Sequence, residues 1–482
     1  MQTFLNTVNG HSVEAGETFD TLNPATGEVI AQVAYSSRDE VDSAIAAAKA
    51  AQPGWAALTD AERRAFLLKI ADTILVHAEA LAQWVTREQG KPLGGDGRGS
   101  VPGSRFELMG CEAWTRATAN IEIPVDVAFE NEQRRDEVHR QPYGVVAAIT
   151  PWNWPLMIAI WHIVPALRMG NTVVIKPSEY TSACSLELLR VIAEVLPPGV
   201  LNTVSGFGDV GGWLTEDTRI GKIMFTGSAS TGSKVAAAAA RNLTPTTLEL
   251  GGNDAAIVLP DADPQTIAMG LFWGAFLNMG QTCACAKRLY VPASLHDQIV
   301  TELAKLAAAM PMGDGMQPGI AVGPIQNRMQ FEKVVRLVDA ARAAGATIVC
   351  GGQPPSGPGN FYPLTLVTHV DDGNPLVDEE QFGPVLPIIR YTNVEDAIAR
   401  ANRLDVGLGA SVWSQNLDQA RAVAMRLQAG TVWINQHGTI HPLVPFGGSK
   451  RSGWGVEFGV EGLKSVTRPH VISIQKSQGV PA

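Results

Sequence analysis

Val145-Val-Ala-Ala-Ile-Thr150-Pro-Trp-Asn-Trp-Pro155 carries an unbroken apolar run into a proline-flanked turn, and Asn171-Thr-Val-Val-Ile-Lys176 repeats the pattern one helix later. Short apolar runs closed by turn residues read as strands buried on both faces. Pro155 to Met169 between them has the length and apolar density of a helix. The rhythm continues with a helix over Ser182 to Val195, a strand over Val200 to Ser205 and a helix over Asp209 to Thr215. A strand at Ile220 to Thr226 and a helix at Ser230 to Arg241 complete it. Alternating units of this size predict a parallel sheet with helices on both faces.

Working outward, a second rhythm follows Leu250. Strands are expected at Ala255 to Leu259, Arg288 to Val291, Ile348 to Cys350, Pro387 to Tyr391, Ser411 to Trp413 and Val432 to Asn435. Helices are expected between them at Asp263 to Leu277, Leu295 to Ala309, Arg328 to Ala344, Val394 to Arg403 and Leu417 to Leu427. Upstream, Glu40 to Ala51, Asp60 to Gln89 and Glu107 to Ala119 show helical spacing, so the first hundred residues are expected to be largely helical. Val125 to Ala148 reads as strands around a polar turn at Asn131 to Arg134. Ser465 to Gln475 reads as a strand with no obvious local partner, the kind that pairs with another subunit. The expected fold class is α/β, with two doubly wound parallel-sheet domains joined near Leu250 and a small β oligomerisation arm.

The 482 residues are 45% hydrophobic and 6% aromatic, an ordinary globular composition, and Asp plus Glu outnumber Lys plus Arg by 47 to 37. No run of like charge dominates, which argues against nucleic acid or an anionic membrane as partner. Cys111, Cys184, Cys283, Cys285 and Cys350 are few, odd in number and scattered, unlike a disulfide framework. The first seventeen residues lack the apolar core of a secretory signal. The longest strongly apolar stretch, Leu156 to Trp161, is far short of the roughly 20 residues of a membrane span. The expectation is a soluble cytoplasmic protein.

Several segments carry possible chemistry, each with a plainer alternative. Gly206-Phe-Gly-Asp-Val-Gly211 fits G-x-G-x-x-G between a strand and a helix, but the acidic residue about 20 positions on is missing, so it also reads as a glycine-rich turn. Gly227-Ser-Ala-Ser-Thr-Gly232-Ser-Lys234 resembles a phosphate loop with Ser and Lys misplaced. It reads as an anion site at a helix N-terminus or as a simple cap. Lys176-Pro-Ser-Glu179, just past a strand end, suits ribose hydroxyls or is a charged loop.

Asn278-Met-Gly-Gln-Thr-Cys283-Ala-Cys285 places a cysteine after a tight turn. It could be a nucleophile, half of a metal pair with no visible completing ligands, or a buried structural thiol. Glu249 in Leu248-Glu-Leu-Gly-Gly252 is either a base raised by burial or a carboxylate reaching the surface. Asn153, between two tryptophans, is a rigid donor or a turn cap.

Taken together and in order, these stretches resemble the aldehyde dehydrogenase superfamily, over nearly the whole chain from Asn23-Pro-Ala-Thr-Gly27 to Thr467. Phe225-Thr-Gly-Ser228, Glu380-Gln-Phe-Gly-Pro384 and Pro445-Phe-Gly-Gly-Ser-Lys450 complete the set. The resemblance implies that Cys283 attacks an aldehyde to give a thiohemiacetal, whose oxyanion is held by Asn153 and the Cys283 backbone N–H. Hydride transfer to nicotinamide would leave a thioester, and Glu249 would activate the hydrolysing water.

It also implies NAD as cofactor. Trp152 and Ser228 would contact the diphosphate, Lys176 and Glu179 the adenosine ribose, and Glu380 the nicotinamide ribose. Phe382 would pack near the nicotinamide, with Gly206, Phe225, Gly227 and Leu250 completing the site. The Glu179 carboxylate should repel a 2′-phosphate. Glu249 favours release of a free acid over acyl transfer to coenzyme A. Many relatives carry Lys where this chain has His162, on a proton path from the general base, and Glu457 matches the outer acidic position of that path. No metal is expected.

By the same resemblance, residues 1–119 and 143–250 form the NAD-binding domain and 251–464 the catalytic domain. Residues 120–142 and 465–482 would mediate a homodimer or homotetramer. The funnel would be lined by Trp154, Met157, Ile158, Trp161, Leu277, Thr282, Ala284, Ile440 and Phe446. Its apolar character favours medium-chain aliphatic or aromatic aldehydes. Betaine-aldehyde-like and coenzyme A-acylating enzymes are the alternatives of the same fold, and a catalytically retired structural member is the non-enzymatic one.

Overall fold

The computed structural model describes residues 1–94 and 101–476. The strand–helix rhythm is realised as a six-stranded sheet. In spatial order its strands are Leu201–Thr203, Thr172–Lys176, Val145–Ile149, Ile220–Gly227 and Thr246–Leu250, all parallel. Gly453–Trp454 is added antiparallel at one edge. Chain order reverses between Val145–Ile149 and Ile220–Gly227, so a crevice opens at the carboxyl ends of these two strands.

The second sheet has seven strands, ordered Thr347–Cys350, Thr365–Thr368, Val385–Tyr391, Ala286–Pro292, Asp254–Val258, Gly409–Trp413 and Thr431–Ile434. All but the first run parallel. Val145 to Ala148 and Ala255 to Val258 are almost fully excluded from solvent, as strands covered on both faces must be. The helix Pro155–Arg168 is buried on nearly every side. It fills the space between the first sheet and the helices Asp60–Gln89 and Ser104–Asn120.

Three sequence expectations need correction. The helical expectation for the first hundred residues holds from Arg38 onward and fails before it, where five strands precede the first helix, Arg38–Ala57. Asn23-Pro-Ala-Thr-Gly27 is a tight turn in which the Gly27 N–H donates to the Asn23 carbonyl at 2.7 Å. It joins Glu17–Leu22 to Val29–Tyr35 as an antiparallel hairpin, and Val29–Tyr35 is rich in β-formers. The terminal strand Thr467–Gln475 is not an orphan. It pairs antiparallel over nine residues with Arg134–Pro142, which pairs in turn with Asp126–Glu130. A partner over 300 residues away cannot be read from local pattern. The last six residues of the expected arm, 477–482, lie outside the described residues. Thirdly, Thr365–Thr368 was not anticipated as a strand, though it is fully buried in the second sheet.

Candidate active site

The crevice of the first sheet faces a turn from the second unit. The helix Pro264–Phe276 ends, and Asn278, Met279 and Gly280 follow with φ of 51°, 56° and 70°. Successive left-handed residues are costly away from glycine and persist only where the surroundings hold them. A Cβ on Gly280 would lie 2.3 Å from the Gly383 carbonyl oxygen, so glycine is required there. This turn delivers Cys283 to the crevice.

Asn153 stands just past the strand Val145–Ile149. Its Nδ2 donates to the Gln281 carbonyl at 3.0 Å, and Asn278 Nδ2 donates to the Asn153 carbonyl at 2.8 Å. Asn153 is thus locked to the cysteine turn from both ends. Lys91 adds a third anchor, donating to the Asn153 carbonyl at 3.0 Å and pairing with Glu107 at 2.5 Å. Glu107 accepts from the Leu156 and Met157 N–H groups at the start of the helix Pro155–Arg168. Both members of this pair are almost wholly buried, a setting in which loss of one partner costs about 3–5 kcal/mol. Neither was flagged in the sequence, because Glu-Gln-Gly-Lys91 and Glu107 look like surface charge.

Glu249 lies at the end of Thr246–Leu250, 5% exposed, with both carboxylate oxygens lacking a hydrogen-bond partner in the structure. Burial, with the Glu457 charge added, holds its carboxyl well above the usual carboxylate range. Cys283 and Glu249 share a small chamber with Thr226, Phe446 and Glu457. Its free volume of about 10 Å³ is room for a single water centre. Glu457 Oε1 is 3.2 Å from His162 Nε2, which is also 2.9 Å from Thr226 Oγ1. Lys222, buried beneath, is pulled down to about 8 by desolvation, against the attraction of Glu457. Burial pushes the Cys283 thiol up to about 12, opposed by Lys287 and reinforced by Asp254, Glu249 and Glu380.

A funnel of about 750 Å³ leads from the surface to Cys283. Trp154, Met157, Ile158, Trp161, Leu277, Thr282, Ala284 and Ile440 line it, as expected from the sequence. Phe446 does not. It lies in the chamber behind, stacked on Phe458 at 6.1 Å and bridged to Glu457 through paired backbone hydrogen bonds. Phe106, Met109, Trp114 and Trp273 were missed. Three of these sit on Ser104–Asn120, distant in sequence from every motif. Among the described lining residues none is Lys, Arg, Asp or Glu.

The remaining expected residues ring the other side of the crevice. Lys176 is buried with its Nζ 4.0 Å from Glu179 Oε2. Ser228 caps the helix Ala229–Arg241, and its solvent-facing opening offers backbone N–H groups to an anion. Gly206 has φ 145°, and a Cβ there would meet the Tyr35 ring at 2.6 Å. Trp152 and Phe382 meet edge to face at 5.4 Å. Glu380 accepts from the Gly252 N–H at 3.2 Å and from Lys287 at 3.0 Å. Phe225 and Leu250 are buried, at 5% and 6% exposure, and support this wall from within. A helix opening for a diphosphate and a Lys–Glu pair for ribose hydroxyls fit a dinucleotide. Among the described residues no group of three or more His, Cys, Asp and Glu is placed to hold a metal, and no helix is long and apolar enough to cross a membrane.

Residues 11–472 match the model of the aldehyde dehydrogenase family. The chain is 36% identical to human aldehyde dehydrogenase 1A1, over 97% of this chain and 94% of that protein. It is 35% identical to phenylacetaldehyde dehydrogenase of Pseudomonas fluorescens, over 95% and 92%. An NAD⁺ complex of an aldehyde dehydrogenase from Bacillus cereus superposes with a TM-score of 0.94 at 34% identity, covering 99% of this chain and 97% of that one. The chain belongs to the aldehyde dehydrogenase family.

Proposed function

We propose that the protein oxidises a neutral aldehyde, aromatic or medium-chain aliphatic, to the free carboxylic acid with NAD. The observation that carries this reading is the shared chamber, which joins Cys283, Glu249 and room for one water behind an apolar funnel. Cys283 Sγ adds to the aldehyde carbon, and the new oxyanion accepts from Asn153 Nδ2 and the Cys283 N–H. When bound, NAD supplies the two-electron acceptor. Lys176, Glu179, Trp152, Ser228, Glu380 and Phe382 are the residues that would hold it. Glu249 takes a proton from the chamber water, whose oxygen attacks the Cys283 thioester and releases the acid. The proton leaves toward Glu457 and His162.

The chemistry of the funnel supports the substrate class. Among the described lining residues, five aromatic side chains and no Lys, Arg, Asp or Glu favour an uncharged, bulky aldehyde. The phenylacetaldehyde dehydrogenase relative points the same way. A carboxylate-bearing aldehyde would be desolvated here without a charged partner among the described lining residues. Glu179 favours NAD over NADP by like-charge repulsion of a 2′-phosphate.

The three-stranded arm leaves Val127, Phe129, Ile472 and Ile474 exposed, and we assign it to contacts between copies of the chain. Light scattering of the intact protein tests that assignment, with a monomer as the contrary result. A screen of neutral aromatic, aliphatic and charged aldehydes by NADH formation tests the substrate class. Preference for a charged aldehyde would refute it.

A further inference from the structure

Lys287 lies four residues beyond Cys283, in Cys283-Ala-Cys-Ala-Lys287, and the sequence motifs leave it without a role. Its side chain is 3% exposed. An ammonium has three donors, and here each has an acceptor. They are the Thr282 carbonyl at 2.9 Å, the Cys283 carbonyl at 2.7 Å and Glu380 Oε1 at 3.0 Å. The Phe382 ring centroid lies 5.5 Å from the same nitrogen. One buried cation therefore holds the nucleophile's own backbone and the carboxylate across the crevice.

We propose that Lys287 is a positioning residue that pins the Cys283 loop, fixes the Glu380 carboxylate and keeps positive charge beside the thiol. Burial alone would neutralise a lysine, but Glu380 and Asp254 more than offset it and keep Lys287 charged. A charge so placed favours the thiolate. The other groups that face Cys283 are Asp254, Glu249 and Glu380, all of which oppose the thiolate. Cys285 is buried on the same turn. His437 lines the same funnel, bonded to Ser411 and 3.6 Å from Asp254. His162 and Glu457 stand behind Glu249. Lys287 is the cation among these that touches the cysteine's own residue.

The proposal rests on Cys283 being the nucleophile and Glu380 facing the cofactor ribose. Its test is the pH dependence of Cys283 alkylation by iodoacetamide in the cofactor-free protein, read by mass spectrometry, together with NAD binding by calorimetry. Lys287→Met should slow alkylation at pH 8 about 10-fold, equivalent to one pKa unit, and should weaken NAD binding. Glu380→Gln should weaken NAD binding but speed alkylation, because it removes an opposing charge and leaves Lys287 in place. Lys287→Arg should recover most of the alkylation rate. A merely structural lysine would not give opposite signs in the two variants. Equal alkylation in wild type and Lys287→Met, or slowing in both Lys287→Met and Glu380→Gln, overturns the proposal. If wild-type alkylation misses Cys283 altogether, the reading of the active site fails instead.

Discussion

His162 Nε2 lies 3.2 Å from Glu457 Oε1, both side chains closed off from solvent, one on the helix Pro155–Arg168 and the other near the end of the chain. Thr226 Oγ1, 2.9 Å from the same nitrogen, connects this pair to the chamber that holds Glu249. A buried path of polar groups therefore leads away from the proposed base. His162→Ala should leave thioester formation intact and slow its hydrolysis on the order of 10-fold. Rapid-mix kinetics separates the NADH burst from the steady state. An unchanged steady-state rate would remove His162 from the path.

Asn153 is locked to the cysteine turn through Gln281 and Asn278. Asn153→Ala should lower kcat by about 10²–10³-fold, the usual effect of losing one oxyanion donor. Alkylation of Cys283 in that variant should stay within a few-fold of wild type. Loss of both together would indicate a collapsed turn instead of a missing donor.

Burial and the Glu457 charge raise Glu249 above the ordinary carboxylate range. The folded protein keeps a proton there that the unfolded chain releases at lower pH. This contribution to stability is present in full below the ordinary Glu value and is lost as pH rises toward the raised folded value. Glu249→Gln removes the dependence. Its melting temperature should gain on wild type between pH 5 and pH 8, as differential scanning fluorimetry can show. A difference that does not change with pH would contradict the burial of an ionising carboxylate. Turnover by wild type should climb over the same range, because hydrolysis needs the ionised base.

On the proposed reading, the funnel discriminates because none of its described lining residues is Lys, Arg, Asp or Glu. For aldehydes of similar size, kcat/KM for a neutral aromatic substrate should exceed that for a carboxylate-bearing one by about 100-fold. Trp161→Arg should narrow or reverse that gap. Parity between the two substrates in wild type would show that the apolar wall does not set specificity.

Glu179, 4.0 Å from buried Lys176, is the residue we propose to select NAD over NADP. Glu179→Thr should raise kcat/KM for NADP by about 10-fold or more while weakening that for NAD. Steady-state assays with both cofactors decide it, and an unchanged ratio would clear Glu179 of that role.

The parallel sheets were legible in the sequence because their strands are short, apolar and bounded by turns. Asp60–Gln89 matched its expected ends, since Thr59 caps it with Glu62 and Gly90 closes it in the left-handed conformation. The cysteine turn, Glu249 and Asn153 were legible as motifs, and the structure brings them together. What escaped depended on distance along the chain. Arg134–Pro142 and Thr467–Gln475 pair across more than 300 residues. Trp114 reaches the funnel from a helix with no motif, and Lys91 and Glu107 look like solvated charge until the fold buries them. Phe446 lies beside the expected funnel residues in the sequence pattern, but its backbone bridge to Glu457 turns it into the chamber behind.

The central claim, a Cys283 thioester opened by water that Glu249 activates, is tested most directly by Glu249→Gln in a single-turnover experiment. One equivalent of NADH per subunit should appear and then stop, with the acyl mass retained on the peptide that contains Cys283. Full steady-state turnover with no adduct on Cys283 would contradict it.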